Sequence, residues 1–172
     1  MMGRPGQDDE IPLQPQVVVE PFERWALDFI GPFNPKSNQK YYILVEKDYM
    51  TKWVEAVAFP NATEEAFIKF LFELFVCYGL PKEVIMDEGS QFTAHKISST
   101  LCNYDIKHRV TSPYHPQENK QVESTNKVLE AILTKTVSTN RQNWASKLSN
   151  YLCAYCTTWH NTTGYSPDHL VF

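Results

Sequence analysis

Two aspartates stand where a carboxylate is costly unless it is paired or binds a metal ion. Asp28 interrupts the mostly apolar run of residues 25–33, and Asp87 directly follows the short apolar run of residues 84–86. A hydrogen-bonded carboxylate in a strand would explain Asp28, and an ordinary turn residue before a glycine would explain Asp87. Taken singly, each aspartate leaves both the structural and the metal-binding interpretation open.

A glutamate supplies a third carboxylate, on a helix that we predict to begin near Pro116 and to reach about Val137. At about 100° per residue, Glu123 shares one polar arc with Lys120 and Lys127, while apolar residues occupy the opposite side. A solvated face of salt bridges is one explanation. A carboxylate flanked by lysines could equally hold a metal ion beside bound phosphates.

The elements that would position these acids are predicted from apolar periodicity. The first predicted strand ends at residues 31–32. The other four predicted strands cover residues 41–46, 53–59, 84–86 and 106–110, with a turn at 47–49. The first helix is expected to begin at a capping box of Asn61 and Glu64 and to end at Gly79 and Pro81. Three further helices are indicated by Ile97, Leu101 and Tyr104, by the pattern after Pro116, and by residues 144–155. The order β-β-β-α-β-α-β-α-α, with three antiparallel strands first, predicts an α/β fold with a mixed five-stranded sheet flanked by helices.

Composition places limits on the class of protein. The chain of 172 residues is 42% hydrophobic and 13% aromatic, which indicates one domain with a buried core and excludes a mainly disordered chain. The formal net charge of -4 argues against a simple basic nucleic-acid binder. Residues 1–90 hold 8 Lys and Arg against 15 Asp and Glu, whereas residues 91–150 hold 8 against 4. That asymmetry is consistent with a polyanionic partner on one face, or with chance spread of surface charge.

The remaining features are less specific. Residues 1–20 are polar and contain prolines, so we expect a linker or extended arm there and one domain over residues 21–172. Cys153 and Cys156 form a lone C-x-x-C without further metal ligands at zinc spacing, and we interpret them as ordinary thiols. The most apolar window, residues 66–80, is too short to span a bilayer, so no membrane partner is expected.

Several motifs acquire a joint meaning through their order and spacing. Asp87 and Glu123 are separated by 35 residues. The accompanying motifs are WALDFIGP at 25–32, DYMTKW at 48–53, YGLP at 78–81, MDEGSQF at 86–92, SPYHPQ at 112–117, QVESTNK at 121–127, AYCTTWH at 154–160 and TTGYSP at 162–167. Together they resemble the integrase catalytic core of gypsy-type LTR retrotransposons, within the D,D-35-E retroviral integrase superfamily. The resemblance covers about residues 20–172.

This resemblance implies a ribonuclease H-like fold and a metal-dependent polynucleotidyl transferase that trims and joins retroelement DNA ends to target DNA. It further implies that Asp28, Asp87 and Glu123 are the catalytic and metal-binding residues. They would bind two Mg²⁺ or Mn²⁺ ions about 3.5–4 Å apart, with Asp28 bridging both. The nucleophile would be water during trimming and the new 3′-hydroxyl during joining.

The resemblance also supplies expectations about partners. Tyr114, Gln117, Asn126 and Lys127 match family positions near DNA, where such side chains contact phosphates or base edges. For Tyr114 and Gln117, an ordinary loop role is an alternative, because neighbouring prolines make this segment turn-like. A homodimer or higher oligomer and action in the nucleus are implied as well, although the sequence contains no basic localisation cluster.

Four departures from the family pattern keep a second hypothesis open. Glu88 stands where the family usually has Asn, and Lys120 where it usually has Gly. Arginine is usual both where Cys156 stands and where Ser124 or Thr125 stands. The alternative is an inactive or repurposed integrase-core fragment that acts as a nucleic-acid-binding or oligomerisation module. Whether the chain is an active enzyme is therefore left open, and the net acidity predicts weak, salt-sensitive DNA binding by this chain alone.

Overall fold

The computed structural model describes residues 20–87, 95–111, 131–139 and 142–172, and for residues 87 and 111 the backbone alone. The arm expected over residues 1–20 therefore lies outside the described residues except for Glu20. The strands are β1 (Arg24–Ile30), β2 (Tyr42–Asp48), β3 (Val54–Phe59), β4 (Glu83–Asp87) and β5 (Lys107–Thr111). The helices are α1 (Glu64–Tyr78), α2 (His95–Asn103), α3 (residues 131–139), α4 (Trp144–Thr157) and α5 (Pro167–Val171).

The five strands form one mixed sheet in the order β3-β2-β1-β4-β5. β1 and β3 both pair antiparallel with β2, whereas β1, β4 and β5 run parallel. The predicted fold class, with an antiparallel three-stranded start, is confirmed. Parallel strands need crossover connections, and α1 and α2 occupy the chain between β3 and β4 and between β4 and β5.

Alternation of side chains along β1 separates the two layers of the core. Trp25 and Leu27 are buried with residues of α1 and α2 in one cluster, and Ile30 packs against the other. The second cluster includes Ile43 and Val45 of β2, with Leu133 and Val137 of α3 and Trp144 and Leu148 of α4. Helices therefore pack on both faces of the sheet, α1 and α2 on one and α3 and α4 on the other.

The start of α1 differs from the predicted capping box. The N-cap is Thr63, at φ -122° and ψ 156°, and its Oγ1 accepts a hydrogen bond of 3.2 Å from the Ala66 amide. The prediction of Asn61 as the capping residue is wrong, because Thr63 is the residue adjacent to the first helical position and satisfies an N-terminal amide directly. The predicted end at Gly79 is confirmed, since its φ of 83° leaves helical geometry.

The turn between β2 and β3 lies later than the sequence indicated. β2 runs through Asp48, and the turn occupies residues 49–51. The Asp48 carboxylate accepts hydrogen bonds of 2.7 Å from both the amide and the hydroxyl of Thr51, which closes the turn after the strand has ended. The expected turn at 47–49 is therefore wrong by two residues.

The later helices agree with the sequence in part. The helix expected from Pro116 is described only over residues 131–139, where it extends slightly beyond Val137. Tyr104 follows α2 in a turn rather than lying within the helix. The short α5 was not predicted; Ser166 caps it by accepting a hydrogen bond from the His169 amide. Among the described residues, no helix is long and apolar enough to cross a membrane.

Candidate active site

The strand register brings the first two expected acids to neighbouring backbone positions. Leu27 of β1 pairs with Met86 of the parallel strand β4, and Asp28 and Asp87 are the next residues of the two strands. Neighbouring strands lie about 4.8 Å apart. Two aspartates far apart in sequence therefore occupy adjacent positions in the centre of the sheet.

Asp28 lies on the sheet face of the second cluster. Its register partner on β2 is Val45, a member of that cluster, and Ile30 on the same side of β1 packs there too. Asp28 is nevertheless exposed, and the residue takes part in a polar or electrostatic interaction. The burial cost expected from its apolar neighbours in sequence therefore does not apply.

The Asp87 side chain and the whole of Tyr114, Gln117, Glu123, Asn126 and Lys127 lie outside the described residues. Within the described part of the chain, no group of three His, Cys, Asp or Glu residues is arranged to hold a metal ion. Because two of the three expected carboxylates fall outside that part, this finding leaves the predicted triad untested.

The chemistry of the donor set fits a hard divalent cation. Asp28 presents an exposed carboxylate beside the position of a second aspartate, and oxygen ligands are those that Mg²⁺ and Mn²⁺ prefer. Cysteine and histidine ligands would instead favour zinc. Cys153 is exposed, whereas Cys156 is buried and its thiol lies 3.8 Å from the Val54 carbonyl oxygen. The interpretation of this pair as ordinary thiols agrees with their separate environments.

Three consecutive charged residues of β2 are buried, which the sequence did not indicate. Glu46 and Asp48 are fully buried and Lys47 is 5% exposed. Lys47 pairs in register with Ala26 and so lies on the Asp28 face of the sheet. Burial, together with the charge of Lys52, lowers the pKa of Lys47 to about 7, and Glu46 opposes that shift. A run of charges at the end of an apolar strand resembles the start of a turn, so local sequence could not reveal this burial.

Glu46 lies on the other face of the sheet, opposite to the face that carries Asp28 and Lys47. It pairs in register with Glu55, and neither of its carboxylate oxygens has a hydrogen-bond partner among the described residues. Burial, and secondarily the charges of Asp48 and Glu55, raises the pKa of Glu46 well above its ordinary range, while Lys47 opposes this. Burial without a hydrogen-bond partner therefore disfavours the ionised form of this carboxyl group.

Comparison with known proteins identifies one family model and several relatives. The family model of the integrase core domain matches residues 19–116. The chain is 29% identical over 93% of its length to the Pro-Pol polyprotein of Simian foamy virus type 3 (strain LK3) and 30% identical over 94% to that of Feline foamy virus, covering 14% of each. It is 25% identical over 90% of its length to the Gypsy retrotransposon integrase-like protein 1 of Bos taurus, covering 31% of that protein. The chain thus spans only a small part of these relatives.

Solved structures show the same fold at lower identity. The HTLV-2 integrase catalytic core domain in complex with magnesium (trimeric form) superposes with a TM-score of 0.67 at 19% identity, over 88% of this chain and 97% of that one. A chain of the simian T-cell lymphotropic virus intasome in complex with PP2A regulatory subunit B56 gamma gives 0.66 at 19% identity, over 90% and 57%. The mixed sheet and its helices are therefore a ribonuclease H-like fold.

Proposed function

Because this chain belongs to the integrase core domain family, we propose that it is the catalytic core of a polynucleotidyl transferase that trims retroelement DNA ends and joins them to target DNA. DNA integration is the general process in which this family acts. The observation that carries the finer proposal is the register that puts Asp28 beside Asp87, 59 residues along the chain.

Asp28, Asp87 and Glu123 would hold two Mg²⁺ or Mn²⁺ ions. When bound, such ions supply positive charge to the attacking and leaving oxygens of a phosphodiester. The protein's own contribution is position: β1 is paired with β2 on one side and β4 on the other, so the backbone that carries Asp28 is fixed before DNA arrives. A ligand that is held in advance needs little reorganisation during the reaction.

DNA is the proposed partner, with Tyr114, Gln117, Asn126 and Lys127 as further contact residues. A hydroxyl, amide or ammonium group at these positions would bind phosphates or base edges and set the position of the scissile bond relative to the acids. We also propose a homodimer or higher oligomer and action in the nucleus, where the target DNA is found.

The test is disintegration of a branched oligonucleotide in the presence of a divalent metal ion. We expect the wild-type chain to release the joined product with Mn²⁺ or Mg²⁺, and Asp28→Asn, Asp87→Asn and Glu123→Gln each to reduce it to the level without protein. Asp105→Asn is the matched control, because Asp105 is exposed and has a φ of 57°, a conformation that asparagine tolerates.

Two outcomes distinguish the hypotheses. Product from the wild type and from Asp105→Asn, but from none of the three triad variants, supports the transferase. Equal product from the wild type and Asp87→Asn would contradict it and favour the alternative of an inactive or repurposed integrase-core fragment. DNA binding and oligomeric state, measured on the same samples, would then show which of those roles the fragment retains.

A further inference from the structure

A basic segment interrupts the acidic half of the chain immediately after Asp28. Residues 29–45 contain Lys36 and Lys40 and no Asp or Glu, although residues 1–90 as a whole hold 15 acids against 8 Lys and Arg. Both lysines lie in the β1–β2 loop, residues 31–41, which begins three residues after Asp28. Positive charge is thus concentrated at the end of β1 that carries the candidate site.

The β1–β2 loop is fixed to the sheet face that Asp28 occupies. The Phe33 ring packs edge-on against Trp144, with centroids 5.3 Å apart, and Trp144 belongs to the cluster on that face. The Trp144 indole donates a hydrogen bond of 3.2 Å to the Pro35 carbonyl, and the Ala145 amide donates one of 3.1 Å to the hydroxyl of the fully buried Ser37. These contacts hold the loop in one orientation.

The tip of the loop is a two-residue hairpin turn. Ser37 and Lys40 exchange two backbone hydrogen bonds, of 3.1 and 2.9 Å, around Asn38 and Gln39. The two central residues have φ values of 48° and 59°, as the tight turn requires. Lys36 and Lys40 are therefore placed on either side of a defined turn rather than on a flexible segment.

Neither lysine has an internal counter-charge in the described part of the chain. Other lysines do: Lys82 pairs with Glu23, and Lys96 lies 2.7 Å from Glu65. Lys36 is exposed and its ammonium lies 5.8 Å from the Tyr41 ring, while Lys40 is half-buried. Two cations that lack acidic partners among the described residues, on a loop held by these contacts, can bind an external anion at little entropic cost.

We propose that the β1–β2 loop contacts the DNA backbone, with Lys36 and Lys40 each binding a phosphate of the strand that is presented to Asp28. This inference rests on the proposed function, since it assumes that DNA is the partner. A lysine ammonium is a compact charge suited to phosphate. Such contacts position the duplex without reading its sequence.

The experiment measures the dissociation constant for a mixed-sequence 30-bp DNA duplex as a function of salt concentration. Each phosphate contact contributes about 0.9 to the slope of log affinity against log salt on duplex DNA. Lys36→Gln and Lys40→Gln should each lower the slope by about 0.9, and the double variant by about 1.8. The loss of affinity in these variants should be similar for duplexes of different sequence.

The control is the double variant Lys69→Gln with Lys107→Gln, which also removes two positive charges. Lys69 is exposed on α1, and Lys107 is exposed at the start of β5, where it lies 3.6 Å from Glu83. We expect its slope to match the wild type. Lys36→Arg with Lys40→Arg should restore the slope, because the charges return. Thermal unfolding of each variant checks that the fold is retained.

The two proposals fail differently. A wild-type chain without salt-dependent duplex binding or disintegration would overturn the proposed function and this inference with it. A wild type that binds DNA with a slope unchanged in the Lys36/Lys40 double variant would overturn this inference alone, and would indicate that the loop meets another partner. A slope lowered equally by the control pair would likewise contradict a specific role for the loop.

Discussion

Leu27 of β1 and Met86 of β4 are register partners in a parallel pair, and both side chains are buried in the same core cluster. Their packing fixes the relative position of the two strands, because a slip of one residue would move each side chain to the opposite face. Asp28 and Asp87 follow directly, so the core determines that the two acids are neighbours.

This relationship predicts a stabilising effect of magnesium. At a Mg²⁺ concentration of ten times its dissociation constant, the folded chain should gain about 1.4 kcal/mol. Asp28→Asn should lose most of that gain while folding normally, because Asp28 is exposed. Thermal unfolding with and without MgCl₂ measures this gain in stability, with Asp105→Asn as the control. An undiminished gain in Asp28→Asn would argue against a metal ligand at this position.

Buried Glu46 predicts that stability falls as pH rises. Its pKa is raised in the folded state, so above about pH 4.5 the unfolded chain releases a proton that the folded chain retains. The unfolding free energy should then fall by about 1.4 kcal/mol per pH unit until the folded pKa is reached. Glu46→Gln should remove this contribution, so its advantage over the wild type should grow with pH. Denaturant unfolding from pH 5 to 8 measures the difference, with exposed Glu73→Gln as the surface control.

For Lys47 we expect the opposite dependence on pH, an unfolding free energy that rises as pH rises. Its folded pKa, about 7, lies below its ordinary value of 10.5, so its contribution to stability is present above pH 10.5 and is lost as pH falls toward 7. Lys47→Met, which keeps most of the length of the side chain without the charge, should stabilise the protein at pH 7 and give a smaller advantage at pH 10. The measurement is chemical unfolding at both pH values, compared with Lys69→Met on the exposed face of α1. An equal effect at the two pH values would show that the Lys47 ammonium is not desolvated.

The position of Gly31, directly after β1, leaves no room for a side chain. A Cβ there would lie 2.6 Å from the Tyr41 carbonyl oxygen, at a φ of 131°. Gly31→Ala should therefore cost about 2–3 kcal/mol of unfolding free energy. Gly164→Ala is the matched control: its φ is also positive, 71°, but nothing lies within 4 Å of the added carbon. Its cost should be about 1 kcal/mol, from backbone conformation alone.

Replacing Gln39 by glycine is expected to stabilise the protein. Its φ of 59° is unfavourable for a residue with a Cβ, and glycine is the preferred second residue after asparagine in such hairpin turns. Gln39→Gly should raise the unfolding free energy by about 0.5–1 kcal/mol, and Gln39→Val should lower it. Equal stability of the two variants in urea titrations would contradict the turn geometry.

Most of the fold could be predicted because it follows from local patterns. Alternation along β1 separated Trp25 and Leu27 from Ile30, and apolar residues at helical spacing indicated α1 and α4. The boundaries that were wrong depended on one or two local hydrogen bonds: Thr63 rather than Asn61 caps α1, and Asp48 closes the β2–β3 turn through Thr51. Such bonds are made by one of several equivalent polar residues, and periodicity does not distinguish among them.

The sequence by itself determined the order of the elements up to α4, the family and the spacing of Asp87 and Glu123, because these are properties of the chain read in order. Glu123 and the expected DNA contacts at Tyr114, Gln117, Asn126 and Lys127 remain predictions from that spacing. Only the tertiary structure decided that Asp28 is exposed beside the Asp87 position, that Glu46 and Lys47 are buried, and that the β1–β2 loop bends onto the Asp28 face. Each of these depends on which strands pair and which helix covers them, and such contacts join residues far apart in sequence.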